Sequence, residues 1–219
     1  MKLLIATRNP GKLKEIQELL GNLPCEVVSL ADFPEVPEHE ETGASYTENA
    51  AMKARAASEA TGLWTLADDS GLEVEALGGE PGVRSRRYEG EETPFPVKMR
   101  KLLGRLQGIR GKGRKATFRC VVAVANPSAG VTVCQGECKG EIAEEMRGEN
   151  GFGFDPIFFY PPFGKTFGEL APEEKNRVSH RAMAMRKAKE VILERLRNED
   201  PSNGKDSDPK RSRGMVKQS

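Results

Sequence analysis

The opening of the chain constrains its fold more than any other stretch. Lys2-Leu3-Leu4-Ile5-Ala6 is a short aliphatic run that stops at Thr7, and Leu13, Ile16 and Leu20 then recur at helical spacing. The link between them is Thr7-Arg8-Asn9-Pro10-Gly11-Lys12. Asn9 supplies an N-cap side chain, and Pro10 follows at the first helical position, where its missing N–H costs nothing. A strand turning directly into a helix points to an α/β chain. The length, 219 residues, suffices for one domain or two small lobes sharing a cleft, with a core that needs no disulfides.

The remaining pattern fills out a mixed sheet. Ser45-Tyr46-Thr47-Glu48 matches a capping box, opening an alanine-rich helix that Gly62 closes. Trp64 to Ala67 reads as a strand ending at Asp68-Asp69-Ser70-Gly71, and Gly78 to Gly82 as a turn or loop. Leu102, Leu103 and Leu106 mark a short helix. Thr117 to Ala125 is a long apolar strand, with Val131 to Cys134 as its hairpin partner, which makes part of the sheet antiparallel. Ala182 to Arg197 reads as a closing helix. From 198 to 219 the residues are polar and charged with almost nothing to bury, so the expected boundaries are a folded domain over 1–197 and a disordered tail.

Charge and composition exclude several classes. Lys plus Arg (34) nearly balances Asp plus Glu (33), so no global field draws the protein to nucleic acid or an acidic membrane. A mean hydropathy of -0.57, with no apolar run near 18 residues, excludes a membrane span. The N-terminal apolar stretch is too short for a signal peptide, and the expected compartment is the cytoplasm. Cys25, Cys120, Cys134 and Cys138 lack CxxC spacing and lie far from His39 and His180 in sequence, which reads as free thiols rather than a zinc site. The basic residues between Lys98 and Arg119 alternate with apolar ones and read as a helix face and flanking loop.

Four groups of residues carry chemistry. The Thr7 to Lys12 turn sets a helix N-terminus beside Arg8 and Lys12, and cations at that end of the dipole are unfavourable unless an anion such as phosphate arrives. Glu40, Glu41, Glu48, Asp68 and Asp69 form an acidic set whose repulsion a hard cation such as Mg2+ would offset, since Mg2+ favours a few carboxylates, waters and phosphate oxygens. A solvated loop at Glu40-Glu41 and an Asx turn at Asp68-Asp69 are the plainer alternative. Phe152-Gly153-Phe154-Asp155 and the following residues suit a flat heteroaromatic ring, or else a packed core corner. Lys175, Ser179, His180 and Arg181 offer donors to phosphate or to a base carbonyl, although a lone His is more often structural.

These segments, in this order, resemble the inosine triphosphate pyrophosphatase family, in particular its bacterial dITP/XTP diphosphatase type. The matching stretches are Ala6 to Lys12, Glu41-Thr42-Gly43 leading to Glu48-Asn49-Ala50 and Lys53-Ala54, Ala67 to Leu72, Gly78 to Gly82, Gly151 to Phe158, and Ser179-His180-Arg181. The resemblance implies an elongated mixed α/β fold, with two lobes flanking a long cleft, and a Mg2+-dependent homodimer. The implied reaction hydrolyses ITP, dITP or XTP to the monophosphate and pyrophosphate. It also implies roles: Thr7, Arg8, Asn9, Pro10, Gly11 and Lys12 hold the triphosphate, and Asp69 accepts a proton and binds Mg2+. Glu41, in preference to Glu40, is the second metal ligand. Ser70, Lys175, His180 and Arg181 contact the nucleotide, and Phe152, Gly153, Phe154 and Asp155 line the base pocket.

Arg86 stands where Ala is common in that family, Asn150 where Gly is common and Val97 where Asn is frequent, and none of these removes a proposed catalytic residue. Two other readings stay open at this stage. One is a Mg2+-dependent phosphohydrolase of another metabolite. The other is a non-catalytic nucleotide sensor or RNA-binding module, which the basic residues of 98–119 and the tail would serve.

Overall fold

The computed structural model describes residues 1–199 except Glu38, Glu40 and Ala129. Glu40, the less favoured metal ligand, and nearly all of the expected tail therefore lie outside the described residues. Strand β1 (Lys2–Ile5) leads into α1 (Pro10–Leu20), and β2 (Glu26–Ser29) is followed by α2 (Tyr46–Thr61) and β3 (Trp64–Val74). Then come α3 (Phe95–Arg105), the long hairpin β4 (Lys115–Asn126) and β5 (Gly130–Ile142), and two short strands, β6 (Phe158–Tyr160) and β7 (Lys165–Thr166). Helices α4 (Pro172–Val178) and α5 (His180–Glu199) complete the chain. The seven strands form one sheet in the order β2-β1-β3-β4-β5-β6-β7. Its β2-β1-β3 part is parallel and the rest antiparallel, the expected mixed α/β sheet.

The local signals at α1 hold, and those at α2 hold but for one half of the capping box. Asn9 Oδ1 accepts the Lys12 amide at 3.0 Å, and Pro10 occupies the first turn. Ser45 Oγ accepts the Glu48 amide at 3.2 Å, and Gly62 closes α2 in the left-handed conformation. The capping box is only half made, because the Glu48 carboxylate reaches past Ser45 to the Ala44 amide at 2.7 Å. Helix α2 buries Ala50, Ala54 and Ala57, and these small side chains bring the helix axis close to the sheet. Asn49 and Lys53, four residues apart, share that inward face and reach β3 as a result.

The larger departure concerns β3, which does not end at Asp68-Asp69-Ser70-Gly71 but continues to Val74, paired with β4 from Thr65↔Ala125 to Val74↔Ala116. Two acids and a glycine are poor strand formers, and the ladder to β4, with cations on both faces, overrides that preference. The hairpin likewise extends beyond Val131–Cys134 to Ile142, and the closing helix starts at His180 rather than Ala182 and runs to Glu199, past the expected boundary.

Three apolar clusters surround this sheet. Leu3, Ile5 and Leu66 pack with α1 and α5 on one face, and Leu4, Ala67 and Ala123 with α2 on the other. A third gathers Leu72, Phe118, Phe154, Phe158 and Phe167 toward the far ends of β3 and β4. Strand β1 pairs with β3 only from Trp64 to Leu66. Beyond that point β1 no longer covers the edge of β3, which is next met where Glu73 bridges Pro81, and a cleft lies over the stretch between, at Asp69 to Leu72.

Candidate active site

The cleft is lined by Asn9 and Lys12 from the start of α1, Glu41, Lys53 from α2, Asp69 to Leu72 from β3, and Phe152 to Asp155. Lys175 from α4 and His180 and Arg181 from the first turn of α5 complete the expected set, and Ser85, Arg86, Phe95 and Phe118 line it as well. The structure thus brings Asp69, Glu41, Ser70, Phe152, Gly153, Phe154, Asp155, Lys175, His180 and Arg181 to one cavity.

The Thr7 to Lys12 turn contributes less than expected, because only Asn9 and Lys12 are on the cleft wall. Thr7 Oγ1 accepts the Asn9 amide at 3.2 Å, and the Arg8 guanidinium donates to the Val36 carbonyl at 2.8 Å. Pro10 has no N–H to offer an anion, and the Lys12 amide is taken by the cap. Gly11 instead seats an aromatic wall: a Cβ there would stand 2.7 Å from the Phe152 ring. Gly71 performs the same service on β3, where a Cβ would meet the Gly82 carbonyl oxygen at 2.2 Å, while Ser85 Oγ accepts the Leu72 amide.

Successive side chains of a strand point to opposite faces, so Asp68 and Asp69 enter different surroundings. Asp68 faces α1 and α5. Its Oδ2 accepts from Arg181 Nε at 3.2 Å and Nη2 at 3.1 Å, and Lys12 Nζ lies 3.3 Å from Oδ1. Burial alone would raise its pKa, but the charges of Lys12, Arg181 and Lys53 outweigh it and hold the carboxyl well below the usual range. Arg181 also donates to Glu15 Oε2 at 2.5 Å and to Ser70 Oγ at 3.0 Å. Glu15 Oε1 accepts from Lys175, and Lys175 also pairs with Asp155, whose Oδ2 accepts the Phe152 amide at 2.8 Å. Four buried residues, Asp68, Arg181, Glu15 and Lys175, thereby tie β3, α1, α4 and α5 into one ionic chain ending at the aromatic loop.

Asp69 faces α2. Asn49 Nδ2 donates to its Oδ2 at 2.9 Å, its own neighbour Ser70 donates a backbone N–H to Oδ1, and Lys53 Nζ lies 4.0 Å from Oδ1. Lys53 also donates to Glu41 Oε1 at 2.9 Å and to the Asp68 carbonyl at 2.7 Å. Burial pushes the Asp69 pKa up; Lys53 and Lys12 oppose the rise and Glu41 adds to it, leaving the net shift upward. Lys53 moves the other way: burial would lower its pKa, but Asp69, Glu41 and Asp68 keep it charged.

Two oxygen donors, Glu41 and Asp69, line the same cavity, which is the donor chemistry Mg2+ accepts while keeping waters and phosphate oxygens. Among the described residues no group of three or more His, Cys, Asp or Glu is placed to hold a metal, so a resident ion would complete its shell from solvent and substrate. The two carboxylates fit that partial role.

The aromatic side of the cleft is built on Phe152. Lys175 Nζ stands 5.0 Å and the Arg181 guanidinium 5.3 Å from its ring centroid, both within cation–π reach. His180 stacks on Phe118 with centroids 4.5 Å apart and rings 12° from parallel. Burial, then the charges of Arg181 and Lys175, lower its pKa well below the usual value, so it is neutral at pH 7. Its Nδ1 is buried without a partner among the described residues. Phe154 belongs more to the core, edge-on to Phe95 at 5.3 Å and to Tyr88 at 6.4 Å.

Sequence reasoning did not single out Glu15, Asn49 or Lys53 as site residues. Glu15 reads as a surface position of an amphipathic helix, and its partners lie more than 150 residues away. Asn49 and Lys53 carried a signal, the i, i+4 spacing behind a helix cap, which marks a shared face but not its target.

The Ham1 family model matches residues 3–191. The dITP/XTP pyrophosphatase of Desulforamulus reducens is 48% identical over 192 residues, covering 88% of this chain and 96% of that protein. That of Geobacillus kaustophilus is 49% identical over 189 residues, covering 86% and 93%. Among solved structures, a HAM1 protein from Coxiella burnetii superposes with a TM-score of 0.80 at 42% identity, covering 89% of this chain and 99% of that one. The Ham1 protein of Staphylococcus aureus gives 0.79 at 37% identity, covering 89% and 100%. With the match running from β1 into α5 and taking in every wall of the cleft, the chain belongs to the Ham1 family.

Proposed function

We propose that this protein hydrolyses non-standard purine nucleoside triphosphates, ITP, dITP and XTP, to the monophosphate and pyrophosphate. One observation carries the reading: a carboxylate with a raised pKa, Asp69, shares a cleft with the ammonium groups of Lys12 and Lys53 and with an aromatic wall at Phe152. The names of the near relatives, dITP/XTP pyrophosphatases, support the same substrate class.

In the proposed reaction a water oxygen adds to phosphorus, the anhydride bond to the leaving pyrophosphate breaks, and Asp69 takes the water's proton. Asn49 holds Asp69 in place. Lys12 and Lys53 lie where negative charge grows on the phosphate oxygens, and Asp68 keeps Lys12 at the cleft wall. Mg2+, bound by Glu41 and Asp69, would add a hard cation for those oxygens.

The base lies against Phe152, near Lys175, in this reading. A purine with a carbonyl at its six position needs a donor there. Arg181 is largely committed to Asp68, Glu15 and Ser70, whereas His180 lines the cleft as a neutral imidazole. His180 therefore suits the role better than Arg181, and adenine's amine would face a donor in place of an acceptor.

The resemblance extends the reading to a homodimer in the cytoplasm. No helix among the described residues is long and apolar enough to cross a membrane. Basic side chains of 98–119 are engaged within the fold: Arg114 donates to the carbonyls of Ile142, Ala143, Leu106 and Ile109, and Arg119 pairs with Glu73 and Glu137. That engagement weighs against an RNA-binding role. Incubation with ITP, XTP, ATP and GTP, with and without Mg2+, tests the whole reading. Pyrophosphate from ITP and XTP in preference to ATP and GTP, only with Mg2+, is the expected result; orthophosphate as first product, or no turnover, overturns it.

A further inference from the structure

We propose that Asn49 is a positioning residue, whose side-chain amide is locked by the Gly43 backbone so that its NH2 group must hold Asp69 in the orientation used for catalysis. The inference rests on the hydrolase reading above and concerns a residue with no place among the expected substrate or metal contacts.

The geometry leaves the carboxamide one arrangement. Gly43 donates its N–H to Asn49 Oδ1 at 2.8 Å, and a backbone N–H cannot accept. The carbonyl end must therefore face Gly43, and Nδ2 must face Asp69 Oδ2, where it donates at 2.9 Å. Asn49 is fully buried, so water cannot take either role. Its backbone is fixed too, since it sits in the first turn of α2 and donates its own N–H to the Ser45 carbonyl. A Cβ at Gly43 would stand 2.7 Å from Asn49 Oδ1, which requires glycine for this close approach.

The consequence for Asp69 is a division between its two oxygens. Oδ2 is tied to Asn49, while Oδ1 accepts the Ser70 amide and lies toward Lys53. Rotation of the carboxylate would break both hydrogen bonds at a buried site, a cost that keeps it in one rotamer. The same amide joins the Glu41-Thr42-Gly43 segment to β3, so Glu41 and Asp69 are set relative to one another by Asn49 from one side and by Lys53 from the other. Lys53 supplies charge to this junction. Asn49 supplies direction.

Two variants separate this role from a structural one. Asn49→Asp is nearly isosteric and still accepts from Gly43, but a buried carboxyl this close to Asp69 shares one proton with it, and only at the alkaline end of a pH series, where that proton is lost, has it none to give; Asn49→Ala removes both hydrogen bonds at every pH. Steady-state kinetics with ITP and Mg2+ across that series, alongside thermal melts, are the measurement, with wild-type enzyme in parallel. For N49A, and for N49D at the alkaline end, kcat relative to wild type is expected to fall at least tenfold while KM changes less than threefold. There N49D should be no more active than N49A, because the bond to Gly43 alone does not orient Asp69. Wild-type kcat in N49A overturns the proposal even if the buried charge of N49D prevents folding. So does wild-type activity of N49D at the alkaline end, which would assign the residue to loop anchoring, or a loss confined to KM. No ITP turnover by the wild-type enzyme instead refutes the hydrolase reading, and this proposal with it.

Discussion

Asp68 and Asp69 are sequence neighbours on one strand, both almost fully buried, yet they differ in nearly every physical respect. The strand's twofold alternation sends Asp68 toward α1 and α5, where Lys12 and Arg181 neutralise it, and Asp69 toward α2, where an amide and one more distant ammonium face it. One carboxyl is consequently held far below its ordinary pKa and the other raised above it. Burial alone does not make a reactive group, because Asp68 is at least as buried as Asp69. What separates a proton acceptor from a structural anion here is the number of cations within reach.

The largest expected effect is on turnover. Asp69→Asn removes the proton acceptor while keeping the shape, and loss of a general base is worth about 10²–10⁴ in rate. Hydrolysis of ITP should fall by that amount with circular dichroism unchanged; undiminished hydrolysis would make the two acids equivalent and dissolve the contrast. Asp68→Asn should act first on stability. It leaves Arg181 and Lys12 without their buried anion, which costs about 3–5 kcal/mol. Urea unfolding at pH 7 measures this, and a stability equal to that of the wild type would mean that Asp68 does not anchor the ionic chain.

The two carboxyls should also respond oppositely to acid. The folded pKa of Asp68 is below its unfolded value, so its charge contributes stability that is present above about pH 4 and lost as the pH falls further. The folded pKa of Asp69 lies above its unfolded value, so its contribution is present below about pH 4 and lost as the pH rises through the folded pKa. At pH 7 the ionised Asp69 is therefore a liability, and Asp69→Asn should melt at or above the wild-type temperature. Melting curves of both variants from pH 7 to pH 3 should show the Asp68→Asn deficit and any Asp69→Asn gain shrinking together. Parallel shifts of the two variants at every pH would contradict the assignment.

The same contrast explains what the sequence disclosed. Asn9-Pro10, Ser45 and Gly62 are local signals, each acting within a few residues, and the structure uses them where they stand. The motif residues from Asp69 to Arg181 converge on one cleft because they carry their chemistry in side chains of unmistakable type. The extension of β3 through Asp68-Asp69 was not legible, since its warrant is a ladder to β4 some 50 residues later and cations supplied by three helices. Glu15 illustrates the same limit. Nothing in α1 distinguishes it from Glu18, yet one is buried against Arg181 and Lys175 and the other is exposed beside Asn176. Long-range electrostatic pairing decides the interior of this site, and it has no periodicity to read.

Arg86 should give the smallest effect and so sets the scale for the others. It too lines the cleft, but its side chain is half exposed and it meets Glu91 at 3.5 Å with both groups in solvent. Such pairs contribute about 0–1 kcal/mol and weaken further in salt, because water already solvates each charge. Arg86→Ala should therefore shift the urea midpoint little at low salt and less at high salt, in contrast to Asp68→Asn, whose buried partners added salt screens far less. A loss as large as that of Asp68→Asn would mean that Arg86 belongs to the buried ionic chain rather than to the rim. The difference in salt response between these two variants, measured side by side, reports directly how much of the site's electrostatics is interior and how much is surface.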